Sequence, residues 1–152
     1  MRVRPPGGCA EDGGQVGNTI RCRGIRGATT VDVDSREAIV AATVEMLTAI
    51  VEANDVEAED IASAFFTTTP DLTAEFPAVA ARQIGWTGVA LMGAQEMAVP
   101  GSLQRCLRVL VHVNTAKRAD EIRHIYLRGA KALRPDLVAA AEAAPAKTGA
   151  GR

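Results

Sequence analysis

Along the middle of the chain the apolar residues change period several times, and each change marks an element. From Ile20 to Val33, β-branched residues in an arginine-rich context predict a strand. Asp34-Ser35-Arg36-Glu37 follows, with Asp34 as an N-cap residue and glutamate three positions on, a pattern that satisfies orphan backbone N–H groups reciprocally. Behind it Ile39, Thr43, Met46 and Ile50 recur at spacings of 4, 3 and 4, and Val40, Val44, Leu47 and Val51 repeat this one step on. That is a wide apolar face on a helix running to about Asn54.

The run Ile61 to Thr69 (IASAFFTTT), closed by Pro70-Asp71, predicts a second strand ending in a loop. Phe76-Pro77 opens a short helix with Pro77 at its first position, continued by Ala78 to Ile84. Val89 to Met92 reads as a third strand. Arg105 to Asn114 has the strictest alternation: Leu107, Val109, Val111 and Val113 point one way, and Cys106, Arg108, Leu110, His112 and Asn114 the other. Ile122 to Leu127 makes a last strand. The sum is an α+β fold, a mixed sheet of about five strands with one long and one short helix on one face. The uncovered face is closed by another copy of the chain or lies wet. Residues 1–18, which read PPGG and then GG without a hydrophobic period, are expected to form a disordered extension, and residues 19–137 the folded domain. Residues 138–152 read as a flexible alanine-rich tail whose first half has helical character.

Composition narrows the function. The chain has 152 residues, room for one domain, and is 47% hydrophobic. Its 17 basic and 18 acidic side chains leave a net charge of −1, so no overall basic field draws it to nucleic acid or an anionic membrane. Aromatic residues are 3%, too few for base-stacking platforms. No apolar run reaches the roughly 20 residues of a membrane span. Cys9, Cys22 and Cys106 lack metal-type spacing, and only His112 and His124 are present, so neither a disulfide framework nor a metal site is expected. Met1 to Ile20 contains no apolar core of a secretory signal, so a reducing, cytoplasmic setting is expected.

Arginine supplies most of the candidate chemistry. Arg108 lies mid-strand opposite the valines, either solvated at an edge or paired to an anion in a groove. Arg26 precedes Gly27 near a strand end, where binding groups collect. Arg82 falls on the short helix, Arg134-Pro135-Asp136 has the form of a plain turn, Glu96 follows a strand in a loop-like stretch, and Tyr126 lies in a strand. There is no Ser-His-Asp set, nucleophile elbow, P-loop or dinucleotide fingerprint. Spacing alone describes an oligomer with arginines on a strand face, suited to a small carboxylate anion.

The order of the segments says more. Arg23-Gly24-Ile25-Arg26-Gly27-Ala28-Thr29-Thr30-Val31 resembles the opening of the monofunctional chorismate mutases of the trimeric, pseudo-α/β-barrel class. The resemblance continues through Thr69-Pro70-Asp71-Leu72, Phe76-Pro77-Ala78, Arg82, Gly85-Trp86, Gln95-Glu96-Met97 and Cys106-Leu107-Arg108-Val109. It ends with Ile122-Arg123-His124-Ile125-Tyr126-Leu127 and Ala132-Leu133-Arg134-Pro135-Asp136-Leu137, covering about Arg23 to Leu137.

What the resemblance implies is a homotrimer with sites between subunits, no cofactor, and the pericyclic rearrangement of chorismate to prephenate on the route to phenylalanine and tyrosine. Arg108 matches the arginine facing the ether oxygen, Arg26 and Tyr126 the groups holding the side-chain carboxylate, and Glu96 the acceptor of the ring hydroxyl. Phe76 and Arg82 match residues supplied across the subunit boundary, Met92, Gly93, Ala94 and Gln95 a lining contributed partly by backbone, and Leu133 and Arg134 a cap. Two positions depart from the family pattern: Val79 stands where a lysine is common, and Gly93 where a cysteine often is. The alternative is a trimer of the same architecture that binds a small carboxylate ligand, or deaminates imines, through an interface arginine.

Overall fold

The computed structural model describes residues 19–143. Its elements run β1 (Arg21–Thr30), α1 (Arg36–Asn54), β2 (Ile61–Thr68), α2 (Ala78–Gln83), β3 (Ala90–Gln95), β4 (Cys106–Thr115), β5 (Ile125–Tyr126) and α3 (Pro135–Ala143), with 3₁₀ segments between them. The strands form one mixed sheet in the order β3-β2-β4-β1-β5. β4 pairs antiparallel with both β1 and β2, while β3 runs parallel to β2 and β5 parallel to β1. The expected α+β class and five-stranded mixed sheet are observed. Among the described residues no helix is long and apolar enough to cross a membrane.

Alternation along β4 sets the two faces. Leu107, Val109, Val111 and Val113 are buried and join Ile25, Ala64, Phe66 and the α1 residues Ile39, Met46, Leu47 and Ile50 in one core. Fully burying an aliphatic side chain of this size stabilises by about 1.5–3 kcal/mol. The helix lies very close to β1 at Gly27, where an added Cβ would stand 2.7 Å from Ile50 Cδ1, 3.0 Å from Val109 Cγ1 and 3.1 Å from Met46 Sδ. On the other face Phe65, Leu110 and Met92 are exposed, and the Phe65 ring stands edge-on to His112.

Several local expectations need correction. Ser35, not Asp34, caps α1: its extended backbone lets Oγ accept from the Ala38 N–H at 3.2 Å. Asp34 instead accepts from the backbone N–H groups of Thr73 and Ala74 and the Thr73 hydroxyl, tying the loop before α2 to the start of α1. Pro77 sits one residue ahead of α2 rather than inside it. β3 reaches Gln95 rather than stopping at Met92, because its backbone stays in register with β2 to the Thr68–Gln95 pair. The last strand shrinks to Ile125–Tyr126, since the N–H and C=O of Arg123 are taken by the Asn54 side chain at the end of α1. A third helix, α3, starts at Pro135 in place of the plain turn expected at Arg134-Pro135-Asp136, and its residues 138–143 have the helical character expected of the first half of the tail. The predicted extension at 1–18 and the end of the tail, 144–152, lie outside the described residues.

Candidate active site

Strand register brings three of the predicted site residues to one place. Arg26 on β1, Arg108 on β4 and Tyr126 on β5 all project from the open face, because Ala28 pairs with both Arg108 and Tyr126 and Arg26 lies two residues from Ala28. With Leu133 and Arg134, from the end of the 3₁₀ segment Arg128–Leu133 and just beyond it, they line a cleft of about 320 Å³. That is within the range of small-ligand sites. Arg26 makes no ion pair with a carboxylate among the described residues. Arg134 is held by the first turn of the helix that follows it: Nε and Nη2 donate to the two Asp136 oxygens at 2.9 and 2.7 Å. This fork holds the Asp136 carboxyl down at about 2 and raises Arg134.

Glu96 reaches the cleft's arginine from the far side of β2. Its carboxylate Oε2 lies 3.6 Å from Arg108 Nε, and both side chains are only partly exposed. Burial pushes the Cys106 thiol up, against the opposing pull of Arg108. Behind Arg26, the imidazole of His124 accepts the Arg26 backbone N–H at Nδ1, 3.0 Å away, so that nitrogen carries no proton. Burial, and then the charges of Arg26 and Arg134, hold His124 below its ordinary value.

The remaining predicted residues stand elsewhere on the chain. Phe76, with Gly93, Ala94 and Gln95, lines a second cleft of about 390 Å³ formed by the loop before α2 and β3. Phe76 itself is 74% exposed. Met92 is exposed on the open face, and Arg82 is exposed on α2 without lining either cleft. One cleft therefore opens along β3, an edge strand, and the other between β4 and β5, the opposite edge. Sequence reasoning missed Thr67, whose hydroxyl donates to Glu96 at 2.8 Å, and gave His124 no role. Alternation in the FFTTT run could have put Thr67 on the face of Phe65, but nothing in the sequence says which residue it meets across the strand.

Residues 22–137 match the family described as chorismate mutase type I. The chain is 54% identical over 119 residues to the chorismate mutase AroH of Thermus thermophilus, covering 78% of this chain and 98% of that one. To the chorismate mutase AroH of Bacillus subtilis (strain 168) it is 47% identical over 116 residues, covering 76% and 91%. Among solved structures, a chorismate mutase from Clostridium thermocellum superposes with a TM-score of 0.72 at 52% identity, covering 72% of this chain and 98% of that one.

Proposed function

The chain belongs to the type I chorismate mutase family, and from that premise we propose that its catalytic centre is built around Arg108 and completed by a neighbouring copy. As a chorismate mutase it is an isomerase that rearranges chorismate to prephenate, serving phenylalanine and tyrosine biosynthesis. A C–O bond breaks while a C–C bond forms within one molecule, so no nucleophile and no proton transfer is needed. The protein accelerates such a reaction by holding the folded conformer and stabilising charge that develops in the transition state.

In this reading Arg108 donates to the ether oxygen as negative charge grows there. Arg26 and Tyr126 bind the side-chain carboxylate, Glu96 accepts from the ring hydroxyl, and Leu133 and Arg134 cap the cleft. Phe76 and Arg82 come from the adjacent subunit, and Met92–Gln95 line the site partly by backbone groups. The observation that carries the reading is the pairing of Glu96 with Arg108 beside a cleft that also holds Arg26 and Tyr126. A carboxylate acceptor and a cationic donor so placed match the two ends of a polarised transition state.

The division of the predicted residues between opposite sheet edges supports an interface site. A head-to-tail contact that joins the β3 edge of one copy to the β5 side of the next generates a ring, and the expected ring is a trimer. A cytoplasmic setting belongs to the same proposal, supported by the free thiols of Cys22 and Cys106. The direct test follows the absorbance loss of chorismate and confirms prephenate by its acid conversion to phenylpyruvate. Turnover is expected without added metal or cofactor and without the bell-shaped pH profile of a working acid–base pair. No loss of chorismate from well-folded protein would refute the assignment.

A further inference from the structure

We propose that Thr67 is a positioning residue, holding the Glu96 carboxylate off Arg108 so that both groups stay available to the substrate. The proposal rests on the site reading given above, in which Arg108 and Glu96 serve the two ends of the transition state.

The argument begins with register. Thr67 on β2 pairs with Arg108 on β4 to one side and with Ala94 on β3 to the other. Glu96 lies two residues beyond Ala94, on the same face by the period of a strand. Arg108 on β4, Thr67 on β2 and Glu96 just past the end of β3 therefore form a row. β2 grips Glu96 twice: the Glu96 backbone N–H donates to the Thr68 carbonyl at 2.9 Å, and the Thr67 hydroxyl donates to Oε2 at 2.8 Å. An ionised carboxylate only accepts, so the hydroxyl hydrogen must point at it.

The oxygen that Thr67 holds is also the one nearest Arg108. It stays 3.6 Å from Arg108 Nε, whereas a charge-assisted N–H···O bond is about 2.7–2.9 Å. Arg108 Nε is correspondingly buried without a hydrogen-bond partner among the described residues. An arginine and a carboxylate this close ordinarily close into a short, forked pair. Here the competing hydroxyl restrains the carboxylate. Without it, Glu96 swings onto the guanidinium, and each group becomes the other's partner instead of the substrate's. Binding of the side-chain carboxylate through Arg26 and Tyr126 does not involve this row, so the loss falls more on turnover than on affinity.

The test compares kcat and KM for Thr67→Val, Thr67→Ala, Thr67→Ser, Glu96→Ala and the double variant Thr67→Val/Glu96→Ala. Thr67→Val and Thr67→Ala, which lack the donor, should both lower kcat about tenfold, the low end for a hydrogen bond to a charged group. KM should change by less than about twofold, the signature of an interaction realised in the transition state. Thr67→Ser should keep most of the wild-type kcat, and the double variant should match Glu96→Ala. Unchanged kcat in Thr67→Val, beside a crippled Glu96→Ala, would overturn the role of Thr67 and leave the site reading intact. A loss that serine does not rescue, or that persists in full without Glu96, would reduce Thr67 to a structural residue. Full activity in Glu96→Ala would remove the site reading and this proposal with it.

Discussion

The two faces of the sheet are built from alternate residues of the same strands, yet they are held by different means. Toward α1, Leu107, Val109, Val111 and Val113 meet a helix packed so closely that Gly27 has no room for a side chain. Away from α1, Arg108, Thr67 and Glu96 stand in a polar row beside the exposed cross-strand pair Phe65 and Leu110, which nothing among the described residues covers. The covered face is decided by volume, where a methyl group matters and charge is absent. The open face is decided by direction, where a hydroxyl or a guanidinium matters and volume is left for a ligand or a second copy. Stability should therefore be concentrated on one face and activity on the other.

The sharpest separation is expected at Arg108. Arg108→Ala should lower kcat by about 10²–10³-fold, the loss typical of a transition-state donor, while the melting temperature stays nearly unchanged. Arg108→Lys should recover little, since an ammonium cannot reproduce the guanidinium fork. Steady-state kinetics beside a thermal melt reads both quantities, and a variant that keeps most of its kcat would remove Arg108 from the ether oxygen.

Next in size is Leu110→Glu, which places a charge at a site 37% exposed on the single chain. Light scattering on the wild type should give about three times 15.9 kDa. The variant should retain its far-UV circular dichroism, fall to the mass of one chain, and lose activity on the order of 10²-fold as the site loses its second half. A variant that remains assembled and active would show that the open face is not the one that associates.

Glycine gives a contrast in stability. At Gly27→Ala the new methyl meets Ile50, Val109 and Met46 within about 3 Å and should cost about 1–3 kcal/mol by overpacking. Gly93→Ala meets nothing within 4 Å among the described residues and should leave the melting temperature where it was. Equal losses at the two positions would contradict the packing difference on which the comparison rests.

The smallest effect concerns pH. His124 is held below its ordinary value of 6.5, chiefly by burial. Between that depressed value and 6.5 the unfolded chain binds more protons than the folded one, so stability rises with pH across this window. It is complete above 6.5 and declines as pH falls toward the folded value, where the Arg26 backbone N–H also loses its acceptor. Thermal melts in matched buffers should show a shallow fall of the melting temperature below pH 6.5. His124→Asn, which does not titrate, should lack it.

How much of this was legible beforehand follows from the range of each signal. Periodicity is local, so α1 and the alternation of β4 could be read directly, with Arg108 placed opposite the valines. Ordered motifs along the chain pointed to the family through segments such as Arg26-Gly27-Ala28 and Gln95-Glu96-Met97. Errors gathered where a side chain from elsewhere settles the local outcome. Asp34 resembles a cap and is drawn instead to Thr73 and Ala74; Arg123 resembles strand and is claimed by Asn54. By itself, then, the sequence determined the α+β class, the helix, the two chemical characters of the sheet's faces and the set of candidate arginines, because each depends on residues a few positions apart. Only the tertiary structure decided that Thr67 lies between Glu96 and Arg108, that His124 backs Arg26, and that Phe76 and Arg108 line separate clefts. Those are matters of strand order and register, fixed by contacts between residues tens of positions apart that no local pattern encodes.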